Sequence, residues 1–270
     1  MNRLMRTLLA GALMFCAFTF SGCGPQAASR SPDQPRAEYT MVSAGREEGD
    51  PNGGDPARVS LRWPEFTQTA GAAAKDSMAA WIQARVLAAA VQDQAPGDTT
   101  AIISQFLDVY RTFKSQYPAA TGGWYLERSV DVLTDTLGVV TLDMRENTFG
   151  GGAHPNTARW LASFDPSGHQ LSAADVLVEG TRESLDTIAQ VYFRMARGLG
   201  PDDSLDQTGF QFPGPFRVND NVGVTPAGLL FYFNDYEVGP HSLGPTEFTV
   251  PWAALKGLVR PDSPWAALAK

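Results

Sequence analysis

Cysteine is almost absent: the 270-residue chain has two, Cys16 and Cys23, both in its first tenth. Everything beyond Cys23 therefore lacks a disulfide framework, a catalytic thiolate and a cysteine zinc site. Histidine is nearly as scarce, with His154, His169 and His241 the full set. They show no His-x-His or His-Glu-x-x-His spacing, so the expectation is no metal and no cofactor. Several serines have glycines nearby, but none sits in Gly-x-Ser-x-Gly, which leaves a nucleophile elbow without support. Basic residues are outnumbered, 21 to 29, for a net charge of −8. Nucleic acid and anionic lipid headgroups are poor partners for such a chain, and a basic partner is favoured. No solenoid-length repeat occurs.

What is present begins with an export signal. Arg3 and Arg6 precede an apolar run from Leu8 to Phe20, too short for a comfortable membrane span, and Ser21-Gly22 lead into Cys23. The stretch "FSGC" resembles a bacterial lipobox, although Phe20 stands where leucine is usual. That resemblance implies a signal peptide at 1–22, fatty acylation such as palmitate on Cys23, and a membrane held through the N-terminal lipid. Gly24 rather than aspartate follows, so in a Gram-negative host the outer membrane is expected. The plainer alternatives are an ordinary secretory signal or a short uncleaved anchor, with Cys23 incidental. Residues 23–37 are polar and proline-bearing and read as a tether.

The body reads as an α+β fold of antiparallel sheets and packed helices in two closely associated subdomains, 38–120 and 121–260, with a tail at 261–270. Strands are expected at 39–44 and over "ARVSLRWPEF", the second ending at Pro64. A helix from Thr69 to Val91 has Met78, Ile82, Val86 and Ala89 near one face, and another covers 99–115. Strands follow, with Val140, Leu142 and Met144 on one face of "GVVTLDMREN" and Thr141, Asp143 and Arg145 on the other. "SAAD" (172–175) looks like a capping box, and "TRESLDTIAQVYFRMARGLG" carries Leu185, Ile188, Tyr192 and Met195 along a helical face. Near the end, Pro251 is placed to open a helix.

The most distinctive stretch is "TFGGGAHPNT", residues 148–157. It lies between two amphipathic strands, so Gly150 to Pro155 is expected as the loop of an antiparallel hairpin over 139–165. A phosphate loop would need the glycines to run into a helix with a Lys-Ser/Thr pair or a downstream acid, and neither follows. The glycines give access to positive φ and close backbone approach, while Pro155 pushes His154 towards an extended conformation. Such a loop is either a structural turn or a contact surface. A second glycine- and histidine-bearing loop, "YEVGPHSLGP", could lie beside it.

Taken in order, "FGGGAHPNT", "FDPSGHQLSAADVL" and "LLFYFNDYEVGPHSLGPTEFTVPWAAL" resemble the RsiV-type extracellular domain, a domain of unknown function also found beside PdaC-type peptidoglycan deacetylase domains. The upstream "VSLRWPEF" with its alanine-rich helix is similar to the companion domain that precedes it. The resemblance covers about residues 38–260. His241 departs from it, standing where relatives more often have an aromatic residue, and the third hairpin glycine is additional. The resemblance implies a non-catalytic binding module of the cell envelope, with a lysozyme-like protein or peptidoglycan as candidate ligand. Gly151, Gly152, His154, Asn156, Tyr236 and His241 are the candidate ligand-binding residues. The alternatives are an envelope hydrolase using His154 with nearby carboxylates, or a structural subunit of an envelope assembly.

Overall fold

A computed structural model describes residues 36–50, 53–91 and 95–270. The signal segment, Cys23 and the expected tether up to residue 35 lie outside them. The chain is α+β, with a six-stranded and a three-stranded sheet.

Strands β1 (Glu38–Glu48) and β2 (Ala57–Gln68) form an antiparallel hairpin, then α1 (Ala72–Val86) and α2 (Thr99–Gln116) cross over to β3 (Tyr125–Thr136). β3 pairs parallel with β2, and β4 (Val139–Phe149), β5 (Asn156–Phe164) and β6 (Gln170–Leu171) follow antiparallel. The sheet therefore runs across the expected 120/121 boundary. Hydrophobic burial divides the chain nearer the end of β5.

Alternation explains the first core. Val59 and Leu61 of β2, Leu126 and Val130 of β3, and Leu142 and Met144 of β4 all face the helices. They meet Met78, Trp81 and Ile82 of α1 and Ile102, Phe106, Leu107 and Tyr110 of α2. Asp98 caps α2, its carboxylate accepting from Ala101 N at 2.8 Å. α1 stops at Val86, five residues short of the expected end, and Arg128 supplies the reason. Its guanidinium, buried in the sheet's helix-facing side, donates to Val86 O (3.0 Å), Ala88 O (2.6 Å) and Ala89 O (3.2 Å) and pairs with Glu146 at 2.6 Å. A side chain 40 residues downstream thus draws the carbonyls out of the helix. β2 in turn continues past Pro64. β3 covers it only from Arg58 to Arg62, so the proline sits where β2 has a neighbour on one side alone.

The second core forms where α3 (Ala173–Val176) and α4 (Arg182–Ala196) precede β7 (Val222–Thr225), β8 (Gly228–Phe233) and β9 (Thr246–Pro251). The capping box at Ser172 and Asp175 is present. Phe193 of α4 is fully buried among Phe210, Phe212, Phe216, Phe233 and Phe248. Burying that ring contributes about 1.5–3 kcal/mol. The helix turns Leu185, Ala189 and Phe193 inward, with Ile188 and Tyr192 at the margin. Met195, expected on this face, is instead 67% exposed. Pro251 ends β9 and precedes a 3-10 turn, Trp252–Leu255, rather than a full helix.

The two sheets meet on the side of β4 and β5 that alternation marks as polar. Thr141, Asp143, Arg159 and Ser163 are all buried there. Three hydrogen bonds close a ring across the contact: Val224 N donates to Ser163 Oγ (2.8 Å), the Ser163 and Thr141 hydroxyls lie 2.8 Å apart, and Thr141 donates to Val224 O (2.6 Å). Farther along, Asn221 and Asn234 bond the backbone of β5 in place of a strand, each taking one N–H and giving to Arg159 O. These amides satisfy a strand edge that would otherwise be left open.

Candidate functional site

The hairpin loop stands where expected, between β4 and β5, with Thr148 opposite Asn156. Only one glycine of its run is required by conformation. Gly151 has φ +83°, and a Cβ there would come within 2.9–3.2 Å of the Trp124 indole. Trp124 is itself held by Phe106, Tyr110 and Phe113. Gly151 thus serves the first core. A Cβ on Gly152 would meet only His154 O, at 3.9 Å, and the residue is exposed, as is Asn156 at the start of β5.

The second loop follows β8. Asn234 N donates to Glu237 Oε2 (2.9 Å), Glu237 N to Asn234 O (3.2 Å), and Asn219 Nδ2 to Glu237 Oε1 (2.6 Å). This tight turn holds Tyr236 at φ +66°, in the left-handed region that bulky residues rarely occupy. Tyr236 as a whole is 61% exposed. A short 3-10 turn then begins at His241.

These loops bring three of the six candidate residues together. The His154 and His241 rings stack with centroids 4.0 Å apart and planes 11° from parallel, and Tyr236 stacks on His241 at 5.6 Å and 19°. The polar edges are specified too. Pro155 O can only accept, so His154 Nδ1 donates to it (2.9 Å), and in the neutral ring Nε2 accepts from the Tyr236 hydroxyl (3.3 Å). His241 Nδ1 lies 3.1 Å from Asp235 Oδ2. Asp235 is the residue that sequence reasoning missed. Its side chain is 9% exposed, and Oδ1 is a buried acceptor without a hydrogen-bond partner. Its position beside Tyr236 was the available signal, but the pairing with His241 requires the turn between them. His169 stands apart, 56% exposed, with Nε2 3.2 Å from Asp175. Among the described residues, no group of three His, Cys, Asp or Glu side chains is placed to hold a metal ion.

A charge network, buried at Asp143 and Arg159, joins β4 and β5 to β9. Arg159 binds Asp143 through Nε (2.7 Å) and Nη2 (3.0 Å), and its Nη1 reaches Glu247. Burial opposes the guanidinium's charge, but Asp143 and Glu247 outweigh it and hold Arg159 above its ordinary value. Arg159 also lies over the Tyr232 ring at 5.0 Å, and there burial pushes the phenol's pKa up. The network locks β5 to the small sheet and so fixes the hairpin loop against the second loop.

The arrangement defines an α+β protein that presents a surface stack of imidazole and phenol rings from two loops. Residues 174–253, from within α3 to the 3-10 turn after β9, match the family described as Protein of unknown function (DUF3298). Two solved structures share the fold. One is a DUF3298 family protein from Pseudomonas aeruginosa PAO1, with TM-score 0.64 and 21% identity, covering 84% of this chain and 96% of that one. The other is a DUF3298 member from Bacteroides fragilis NCTC 9343, with TM-score 0.65 and 15% identity, covering 87% and 97%. Among curated proteins, Immunogenic protein MPB64 of Mycobacterium bovis and Immunogenic protein MPT64 of Mycobacterium tuberculosis are each 25% identical over 131 residues, 44% of this chain. The chain spans about half the length of these curated relatives, 51%.

Proposed function

We propose that the protein is a non-catalytic binding module of the cell envelope, of the RsiV-type extracellular family and held to a membrane by lipid on Cys23. Its ligand is peptidoglycan or a lysozyme-like protein. The observation that carries the reading is the His154–His241–Tyr236 stack. Two loops from different sheets converge on it, and Tyr236 is kept strained and exposed at its edge. Backbone strain of this kind, roughly 1–3 kcal/mol, persists where the surroundings enforce it and clusters at functional sites. Flat rings with polar edges suit contact with a sugar face or a protein surface. Among the described residues, no serine, threonine or cysteine side chain hydrogen-bonds either imidazole, as an activated nucleophile would.

A second reading has one specific observation behind it. Asp235 orients His241 as a carboxylate orients a general base, which favours an envelope hydrolase. The sequence-based expectation named His154 with nearby carboxylates; here the carboxylate bonds His241, whose ring stacks on His154. Binding of the full chain to insoluble peptidoglycan and to a lysozyme, measured by co-sedimentation and calorimetry, separates the readings. His154→Ala is expected to weaken binding at least several-fold with little change in melting temperature. Ligand turnover that His241→Ala abolishes would instead establish the hydrolase.

A further inference from the structure

The six-stranded sheet has a second face, opposite α1 and α2, that the small sheet covers only in part. Thr141, Leu161 and Ser163 lie under β7, where Gly223 approaches within contact distance, while Arg145 farther along β4 is 61% exposed. Alternation places Ser60 and Arg62 of β2, Glu127 and Ser129 of β3, and Arg145 and Asn147 of β4 on this open side, and they line a groove of about 320 Å³. We infer that this groove is a binding surface for a carboxylate-bearing glycan. The inference rests on the envelope-binding reading above and selects the acidic saccharide over a basic protein.

Charge is the first argument. The chain is acidic, at −8, yet this face carries no acidic excess: Arg62 is matched by Asp131, Arg145 by Asp143, Arg128 turns its guanidinium to the helix side, and the groove is lined by one carboxylate. That carboxylate, Glu127, is already engaged by Arg58 (2.7 Å) and by Asn147 Nδ2 (3.3 Å). Arg145 spends Nε and Nη2 on Asp143 Oδ2, an oxygen it shares with Arg159. Arg62 spends only Nη2, on Asp131 at 2.5 Å. Among the described residues, Arg145 Nη1, Arg62 Nε and Nη1, and the Ser60 and Ser129 hydroxyls have no protein partner. The surface thus offers guanidinium and hydroxyl donors whose positions are set by ion pairs within the sheet, the preorganisation that recognition of a carboxylate uses. A lysozyme-like basic partner would find no acidic excess on this face to attract it. A long polyanion would meet the acidic remainder of the surface.

Saccharide chemistry is favoured by what borders the groove. Tyr125 and Phe149 make a ring contact at 6.0 Å, and Arg58 lies over Tyr125 at 5.2 Å. β4 then leads directly from Asn147 into the loop that carries His154. Hydroxyl, amide and guanidinium groups beside an aromatic pair match a chain of hydroxylated rings bearing acid groups at intervals.

The test is calorimetry of the full chain with two probes of equal length: uncharged N-acetylglucosamine oligosaccharides, and oligosaccharides in which alternate sugars carry a lactyl carboxylate. The carboxylate-bearing probe is expected to bind more tightly. Arg145→Gln should weaken it about tenfold, or roughly 1.4 kcal/mol, towards the uncharged probe, while Arg145→Lys retains part of the difference. Unchanged melting temperatures would show that the variants fold. Equal binding of the two probes, insensitivity to Arg145→Gln, or binding of neither would overturn the inference. A lysozyme that binds through His154 while neither saccharide does would leave the ring-stack reading standing and remove this one. Saccharide binding that depends on Arg145 but not on His154 would do the reverse.

Discussion

Replacing Gly151 by alanine tests how the hairpin loop is built. Two costs are legible in the structure. The residue sits at φ +83°, where an L side chain costs roughly 1–2 kcal/mol. Its new methyl would also come within 2.9–3.2 Å of the Trp124 indole, which cannot retreat because Phe106, Tyr110 and Phe113 pack around it. Overpacking of that kind costs about 1–3 kcal/mol. Together they predict a loss of about 2–5 kcal/mol in urea unfolding, or roughly 5–20 °C in a body of this size. Gly152→Ala is the internal control. Its Cβ would meet nothing nearer than 3.9 Å, and the φ is not in the left-handed region, so the change should stay within about 0.5 kcal/mol. Trp124→Phe is itself destabilising, but in its background Gly151→Ala should cost only the backbone part. Equal melting curves for the two glycine variants, or an undiminished cost of Gly151→Ala once the indole is replaced, would refute the reasoning.

Thr141→Val removes the hydroxyl that closes the ring between the sheets and strips a buried donor from Val224 O, so it should cost about 1–3 kcal/mol in urea unfolding despite its near-identical shape. A neutral Thr141→Val would mean that packing alone joins the sheets. Asp175 has its pKa depressed: burial opposes this, and the Ser172 hydroxyl and amide, together with His169, overcome it. A carboxylate with a folded pKa below its unfolded value adds stability above the unfolded pKa, about 4, and loses it as pH falls through the folded one. Asp175→Asn should therefore lower stability at neutral pH and flatten its decline below about pH 4, followed by thermal melts across pH. An acid limb as steep as the parent's would exclude the capping box as a contributor.

Much of the architecture was readable from periodicity. The β2 and β4 alternations, the α2 stripe, and the hairpin around the glycine run all follow from residue spacing, because each depends on neighbours a few positions away. Two helices were misjudged for one reason. The end of α1 is set by Arg128 and the inward face of α4 by the phenylalanines that surround Phe193, both distant in sequence. The "polar" face of β4 shows the same limit. Alternation places Thr141 and Asp143 on the face opposite Leu142 without saying what covers it, and the small sheet buries both, Thr141 bonding Val224 O and Asp143 pairing with Arg159.

For the candidate site, the chain by itself determined that His154 would stand in a tight, glycine-built loop and that Tyr236 and His241 would occupy another. These are consequences of local turn chemistry. Whether the loops would touch depended on packing one sheet across another. Through Arg159, Asn221 and Asn234, β5 is fixed to the small sheet, and that contact alone puts one imidazole 4.0 Å from the other. The same packing buries Asp235 against His241 and leaves the Arg62–Arg145 face open to solvent. Turns are encoded by the residues within them, but the distance between two turns is set by everything that packs in between.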